Sequence, residues 1–128
     1  MKIEHIAFNV SDVVKAVEWY VEHFNMQILR ASTESPYIHF LADSARQTVL
    51  ELYTNPAALI PDYAGLPAFT LHIAFLVDDM EAARARLLAA GATADGEPTT
   101  TPAGDQLAFI RDPWGLTWQL VKRNKPLL

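Results

Sequence analysis

The sequence predicts an α+β protein made of two tandem βαβββ modules with their helices on the outside. Three observations lead there. His5-Ile6-Ala7-Phe8, followed by Val10 and Asp12, returns as His72-Ile73-Ala74-Phe75, followed by Val77 and Asp79, always 67 positions later. Leu50-Glu51-Leu52 returns as Trp118-Gln119-Leu120 at an offset of 68, so the second copy has gained a residue. Between these landmarks each half holds one stretch of helical periodicity and several stretches of period two.

Taken in order, Ile3 to Val10 alternates, with Ile6, Phe8 and Val10 on one face and His5, Ala7 and Asn9 on the other. Ser11 is the expected cap of a helix whose inner stripe is Val13, Val14, Val17, Tyr20, Val21 and Phe24. Asn25 tolerates the left-handed conformation that ends a helix. Strands are expected over 26–31, 37–42 and 48–53, with turn chemistry at Asp43 to Arg46. Three prolines and a glycine between residues 55 and 69 read as a linker. The unit then restarts at Thr70. Asp78 or Asp79 caps a second helix, with Met80, Ala83, Leu87 and Leu88 inside, and Gly91 ends it. A short strand over 92–95, a flexible loop over 96–105, and a hairpin of 107–111 with 117–121 complete the module. The expected organisation is one domain over 1–128: module 1 over about 1–54, linker over about 55–69, module 2 over about 70–123, and a tail over 124–128.

Composition narrows the function. The chain of 128 residues is 51% hydrophobic, which is enough to build a core. Its formal charge is −5 and no Lys/Arg stripe forms, so nucleic acid is not an expected partner. With no cysteine, any metal must be held by His, carboxylate or amide groups. No signal-peptide pattern or membrane-length apolar run is present, so no membrane partner and a cytoplasmic location are expected.

The repeated polar positions carry the chemistry. His5, Glu51, His72 and Gln119 each sit between apolar neighbours and alternate away from them, onto the sheet face opposite the helices. Two imidazoles, a carboxylate and an amide oxygen form a plausible ligand set for zinc, nickel, iron, manganese or cobalt. Asn9, His39, Tyr53, Phe109, Arg111 and Trp114 are candidate substrate-pocket residues, each with an ordinary packing role as its alternative.

These residues resemble the vicinal oxygen chelate superfamily, which includes glyoxalase I, methylmalonyl-CoA epimerase, fosfomycin-resistance proteins, extradiol dioxygenases and bleomycin-resistance proteins. The resemblance runs from Ile3 to about Arg123, and Arg111-Asp112-Pro113-Trp114-Gly115-Leu116-Thr117-Trp118-Gln119-Leu120 is its most recognisable part. It implies a curved, cleft-enclosing mixed sheet, a divalent metal ion held by His5, Glu51, His72 and Gln119, a small-molecule substrate, and a homodimer. Gln119 departs from the pattern, because glyoxalases, epimerases and fosfomycin-resistance enzymes usually place Glu there. The activity implied first is that of a glyoxalase-like metal-dependent lyase or isomerase, with an enolate stabilised by the metal and Glu51 as catalytic base. The alternatives are an iron-dependent extradiol-type dioxygenase and a metal-free, bleomycin-resistance-like protein that sequesters its ligand.

Overall fold

The computed structural model describes residues 1–128 and divides into two units, Met1–Pro61 and Asp62–Leu128. Each unit is a four-stranded mixed sheet carrying one principal helix, which is the α+β class and the βαβββ module predicted above.

The first unit runs β1 (Ile6–Asn9), α1 (Val13–Phe24), β2 (Gln27–Ala31), β3 (His39–Ala42) and β4 (Val49–Tyr53), in the sheet order β1-β4-β3-β2. β1 lies parallel to β4, and the other pairings are antiparallel. Val13, Ala16, Val17 and Tyr20 of α1 are buried, as are Phe8, Val10, Leu41, Leu50 and Leu52 of the sheet region. Asp12, not Ser11, caps the helix, and its carboxylate accepts from the Lys15 N–H at 3.2 Å. The inner stripe is narrower than expected: Ala16 is inside, while Val14 and Val21 are 44% and 37% exposed. Asn25 ends the helix in the left-handed region at φ 55°.

The second unit opens with a single 3-10 turn at Tyr63–Gly65. It continues with β5 (Ile73–Leu76), α2 (Met80–Ala89), β6 (Thr93–Thr100), β7 (Gln106–Arg111) and β8 (Thr117–Lys122), in the order β5-β8-β7-β6. β5 lies parallel to β8. Asp79 caps α2 by accepting from the Ala82 N–H at 2.9 Å. Met80 and Leu87 of the helix are buried, together with Ala108, Ile110, Trp118 and Leu120 of the sheet. The expected loop over 96–105 is strand as far as Thr100. Pro98 is tolerated because β6 is an edge strand, where a missing N–H costs no ladder bond, and the register breaks between Asp95 and Thr99 around it.

The proline-rich stretch between the modules is fastened at both ends. In the first unit the buried Asn9 amide donates to the carbonyls of Asn55 (3.0 Å), Ala58 (3.3 Å) and Leu59 (3.2 Å), and its oxygen accepts from the Asn55 N–H (2.8 Å). In the second unit the Arg111 guanidinium donates to the carbonyls of Tyr63 (2.9 Å) and Leu66 (2.8 Å). Gly115 adopts φ +89°, and a Cβ there would stand 2.7 Å from the Ala64 Cβ, so the 112–115 turn needs glycine on both counts.

The start of the C-terminal tail is also fixed. Asp105 accepts from the Asn124 N–H at 2.9 Å and from Arg123 at 2.8 Å. The Asn124 bond, followed by the Arg123 bond and charge, holds the Asp105 carboxyl below its ordinary value of 3.8. A depressed folded-state pKa adds stability that is complete above the ordinary value and disappears as pH falls through the lowered one. Urea denaturation should therefore show Asp105→Asn less stable than wild type near pH 7, with the gap closing as pH falls below the ordinary carboxylate range.

Candidate metal and substrate site

The parallel strand pairs create two equivalent corners. In the first unit Ala7 of β1 stands opposite Glu51 of β4, and His5 lies two residues before Ala7. In the second, Ala74 of β5 stands opposite Gln119 of β8, and His72 lies two residues before Ala74. Leu50 and Leu52 are 2% and 0% exposed, as are Trp118 (0%) and Leu120 (1%). Alternation therefore turns Glu51 and Gln119 to the other face of each sheet.

The first corner is assembled. His5 Nε2 lies 3.1 Å from a Glu51 carboxylate oxygen, and the two side chains are 35% and 17% exposed. His5 Nδ1 contacts the Glu4 carboxylate. The His5 pKa is raised above 6.5, chiefly by the Glu4 hydrogen bond; partial desolvation opposes this, and the Glu4 and Glu51 charges add to it. In the second corner His72 Nδ1 lies 2.9 Å from the Ala68 carbonyl. A carbonyl only accepts, so this contact assigns the proton to Nδ1 and leaves the Nε2 lone pair open. Both imidazoles thus have Nδ1 engaged by an oxygen, as in a metal-ligating histidine with its outer-shell partner, while Nε2 of His5 faces the Glu51 carboxylate and Nε2 of His72 is open.

Each ring also meets a phenylalanine edge to face. His5 and Phe40 have centroids 5.6 Å apart at 86°, and His72 and Phe109 have centroids 5.2 Å apart at 77°. The register explains the likeness, because Phe40 pairs with Glu51 and Phe109 with Gln119.

The His5 and Glu51 donors suit a divalent ion. Two ligands bonded at about 2.0–2.2 Å and set near a right angle stand roughly 3 Å apart, close to the separation seen here. No group of three or more His, Asp or Glu side chains is arranged to hold a metal ion in the chain. The structure thus brings His5 and Glu51 into contact and gives His72 and Gln119 the matching positions in their own unit.

The other predicted pocket residues divide. Phe109 and Tyr53 are half-buried and alternate onto the faces of Gln119 and Glu51 respectively. His39 does not. It pairs with buried Leu52, is 9% exposed, and places Nδ1 2.6 Å from the Tyr37 carbonyl. Phe40 holds the position across from Glu51, so His39 has the opposite parity and lies on the helix side. Asn9 is occupied in holding residues 55–59. Arg111 pairs with Asp95 at 2.7 Å rather than with Asp112, and also donates to the Tyr63, Leu66 and Gly115 carbonyls. Trp114 is half-exposed in the 112–115 turn, where its N–H donates to Asp112 at 2.9 Å. Buried Asp112 also accepts from the Leu116 N–H and from Trp118 Nε1, fixing the entry to β8.

Residues 2–120 match the family model of the Glyoxalase/Bleomycin resistance protein/Dioxygenase superfamily. The chain belongs to this superfamily. A protein of Vibrio cholerae serotype O1 named probable lactoylglutathione lyase is 31% identical, over 97% of this chain and 92% of its own length. An antibiotic-binding protein of Streptomyces sp. CB03234, TnmS3, is 26% identical with a TM-score of 0.69, covering 97% of this chain and 99% of its own. A glyoxalase family protein of Bacillus cereus shares the fold at a TM-score of 0.78 and 18% identity, covering 95% of this chain and 93% of its own. This superfamily of glyoxalases holds both enzymes and binding proteins. No helix of the chain is long and apolar enough to cross a membrane.

The bonds made by Arg111 make it a fastener. Arg111→Met should lower stability by about 2–3 kcal/mol in chemical denaturation, since several part-buried acceptors lose a charged donor.

Proposed function

We propose that the protein is a glyoxalase-like, metal-dependent lyase or isomerase acting on a small substrate with two neighbouring oxygens. The contact between His5 and Glu51 carries this reading. An imidazole nitrogen and a carboxylate oxygen stand at ligand spacing, on a sheet face turned from the core, in a chain of this superfamily. The proposed metal-holding residues are His5, Glu51, His72 and Gln119. A bound divalent ion would supply Lewis-acid stabilisation of enolate charge.

The chain's own groups account for the rest. The Glu51 carboxylate accepts a proton from the hydroxyl-bearing carbon beside the substrate carbonyl and returns it to the carbonyl carbon, while the hydroxyl proton passes to the former carbonyl oxygen, which isomerises the substrate without a net redox change. The Glu4 contact orients the His5 ring towards Glu51. Phe40 and Phe109 wall the two imidazoles with apolar surface, which strengthens polar interactions beside them. Gln119 leaves the set with one carboxylate instead of two, so a divalent ion keeps more net positive charge and is held less tightly. The lactoylglutathione lyase name of the Vibrio cholerae relative supports hemithioacetals of 2-oxoaldehydes as the substrate class. A second reading, ligand sequestration without metal, is favoured by the amide at Gln119 and by the likeness to TnmS3.

Elemental analysis of protein purified without chelator should find about one divalent ion per chain. Chelation should abolish conversion of the methylglyoxal–glutathione hemithioacetal, and added zinc, nickel or manganese should restore it. Glu51→Gln should lower turnover by roughly 10²–10⁴-fold and stop deuterium exchange at the substrate carbon. Protein that is metal-free and indifferent to added metal would support sequestration instead.

A further inference from the structure

Two arginines belong to the sheet faces that carry the proposed ligands, and only one is open. Across the first sheet the register runs Glu51, Phe40, Arg30; across the second it runs Gln119, Phe109, Asp95. Arg30 therefore occupies, in the first unit, the position that Asp95 occupies in the second. Asp95 is neutralised by Arg111, and Arg111 in turn is tied to three backbone carbonyls. Arg30 is exposed, and its side chain takes part in no ion pair or hydrogen bond. Its guanidinium lies 5.9 Å from the centroid of Phe40, the ring that also meets His5. A cation resting on an aromatic face keeps its in-plane N–H donors free, and the ring limits its rotamers. A guanidinium presented in this way matches a carboxylate in a two-bond fork.

We propose that Arg30 is a specificity residue that anchors a substrate carboxylate. Two strand spacings separate β2 from β4, so the anchor stands roughly 10 Å from Glu51 along the sheet. The substrate class is then an acid whose carboxylate lies at the end of an arm, with the two reacting oxygens at the other end. Neutral compounds with the same oxygen-rich head would lack the anchor. This rests on the reading of His5 and Glu51 as the reacting end. The net charge of −5 sharpens it, because an unpaired cation on this face is the feature that separates an anionic substrate from general repulsion.

The test uses S-methylglutathione, which cannot react, and its dimethyl ester, with wild-type protein and Arg30→Gln. Calorimetry should show the acid binding wild type about three- to tenfold more tightly than the ester, the range for an exposed but oriented ion pair. Arg30→Gln should erase that preference, and Arg30→Lys should restore part of it. The Arg30 Nε–H resonance should move on adding the acid and not the ester. In turnover, Arg30→Gln should raise KM for the methylglyoxal adduct of glutathione and leave that of 2-mercaptoethanol unchanged. Loss of turnover for every thiol adduct would overturn the enzymatic reading while the binding arms still decide the anchor. Equal binding of acid and ester, no binding of either, or a preference that survives Arg30→Gln would overturn the anchor.

Discussion

Parallel pairing of the first and last strands in each unit is the constraint on which the rest of the architecture depends. β1 with β4, and β5 with β8, are the two parallel ladders of the molecule. A parallel ladder requires a crossover, which the intervening helix and strands provide. It also fixes which side chain from the end of the unit stands beside which from its start. That places a histidine near an acid in one unit, and in the other a histidine two residues before the amide's partner. Burial of Leu50, Leu52, Trp118 and Leu120 holds the register, because a one-residue slip would turn Glu51 and Gln119 into the core.

The duplication is preserved in detail where chemistry needs it and relaxed elsewhere. Each imidazole keeps an oxygen partner on Nδ1 and a phenylalanine against its ring. The partners differ, being the Glu4 carboxylate in one unit and the Ala68 carbonyl in the other. A carboxylate raises the basicity of its imidazole, whereas a carbonyl mainly orients it. The two corners are therefore electrostatically unequal: the first holds three titratable groups and the second holds one. On the outer positions the units have diverged into opposite uses of arginine, with Arg111 tied to the backbone and Arg30 exposed over an aromatic ring.

Much of this was legible in the sequence because it follows from period and repeat. The spacing from His5 to His72 located equivalent strands, and flanking apolar residues set the parity of Glu51 and Gln119. The face of His39 stayed open between pocket and packing because parity alone has no origin within a short strand; its phase is set by pairing with Leu52. The strand nature of 96–100 was hidden because Pro98 and Gly96 read as breakers, and only an edge position permits them. Arg30 was not visible at all. The register shift between Ile28 and Arg30 reverses the alternation of β2, so simple period-two counting cannot place it. The fastening roles of Asn9 and Arg111 rest on contacts some 45 to 50 residues away in sequence, beyond any local pattern.

The central claim is that the two histidines in repeat register present Nε2 to a metal ion while the other two do not. Nitrogen-15 NMR of the imidazoles during a zinc titration tests it most directly, since each ring nitrogen reports its own protonation and coordination. The account predicts that the Nε2 signals of His5 and His72 shift together and saturate at one common stoichiometry, with His23 and His39 unmoved. Shifts at His39 or His23, or saturation of His5 and His72 at different ratios, would contradict it.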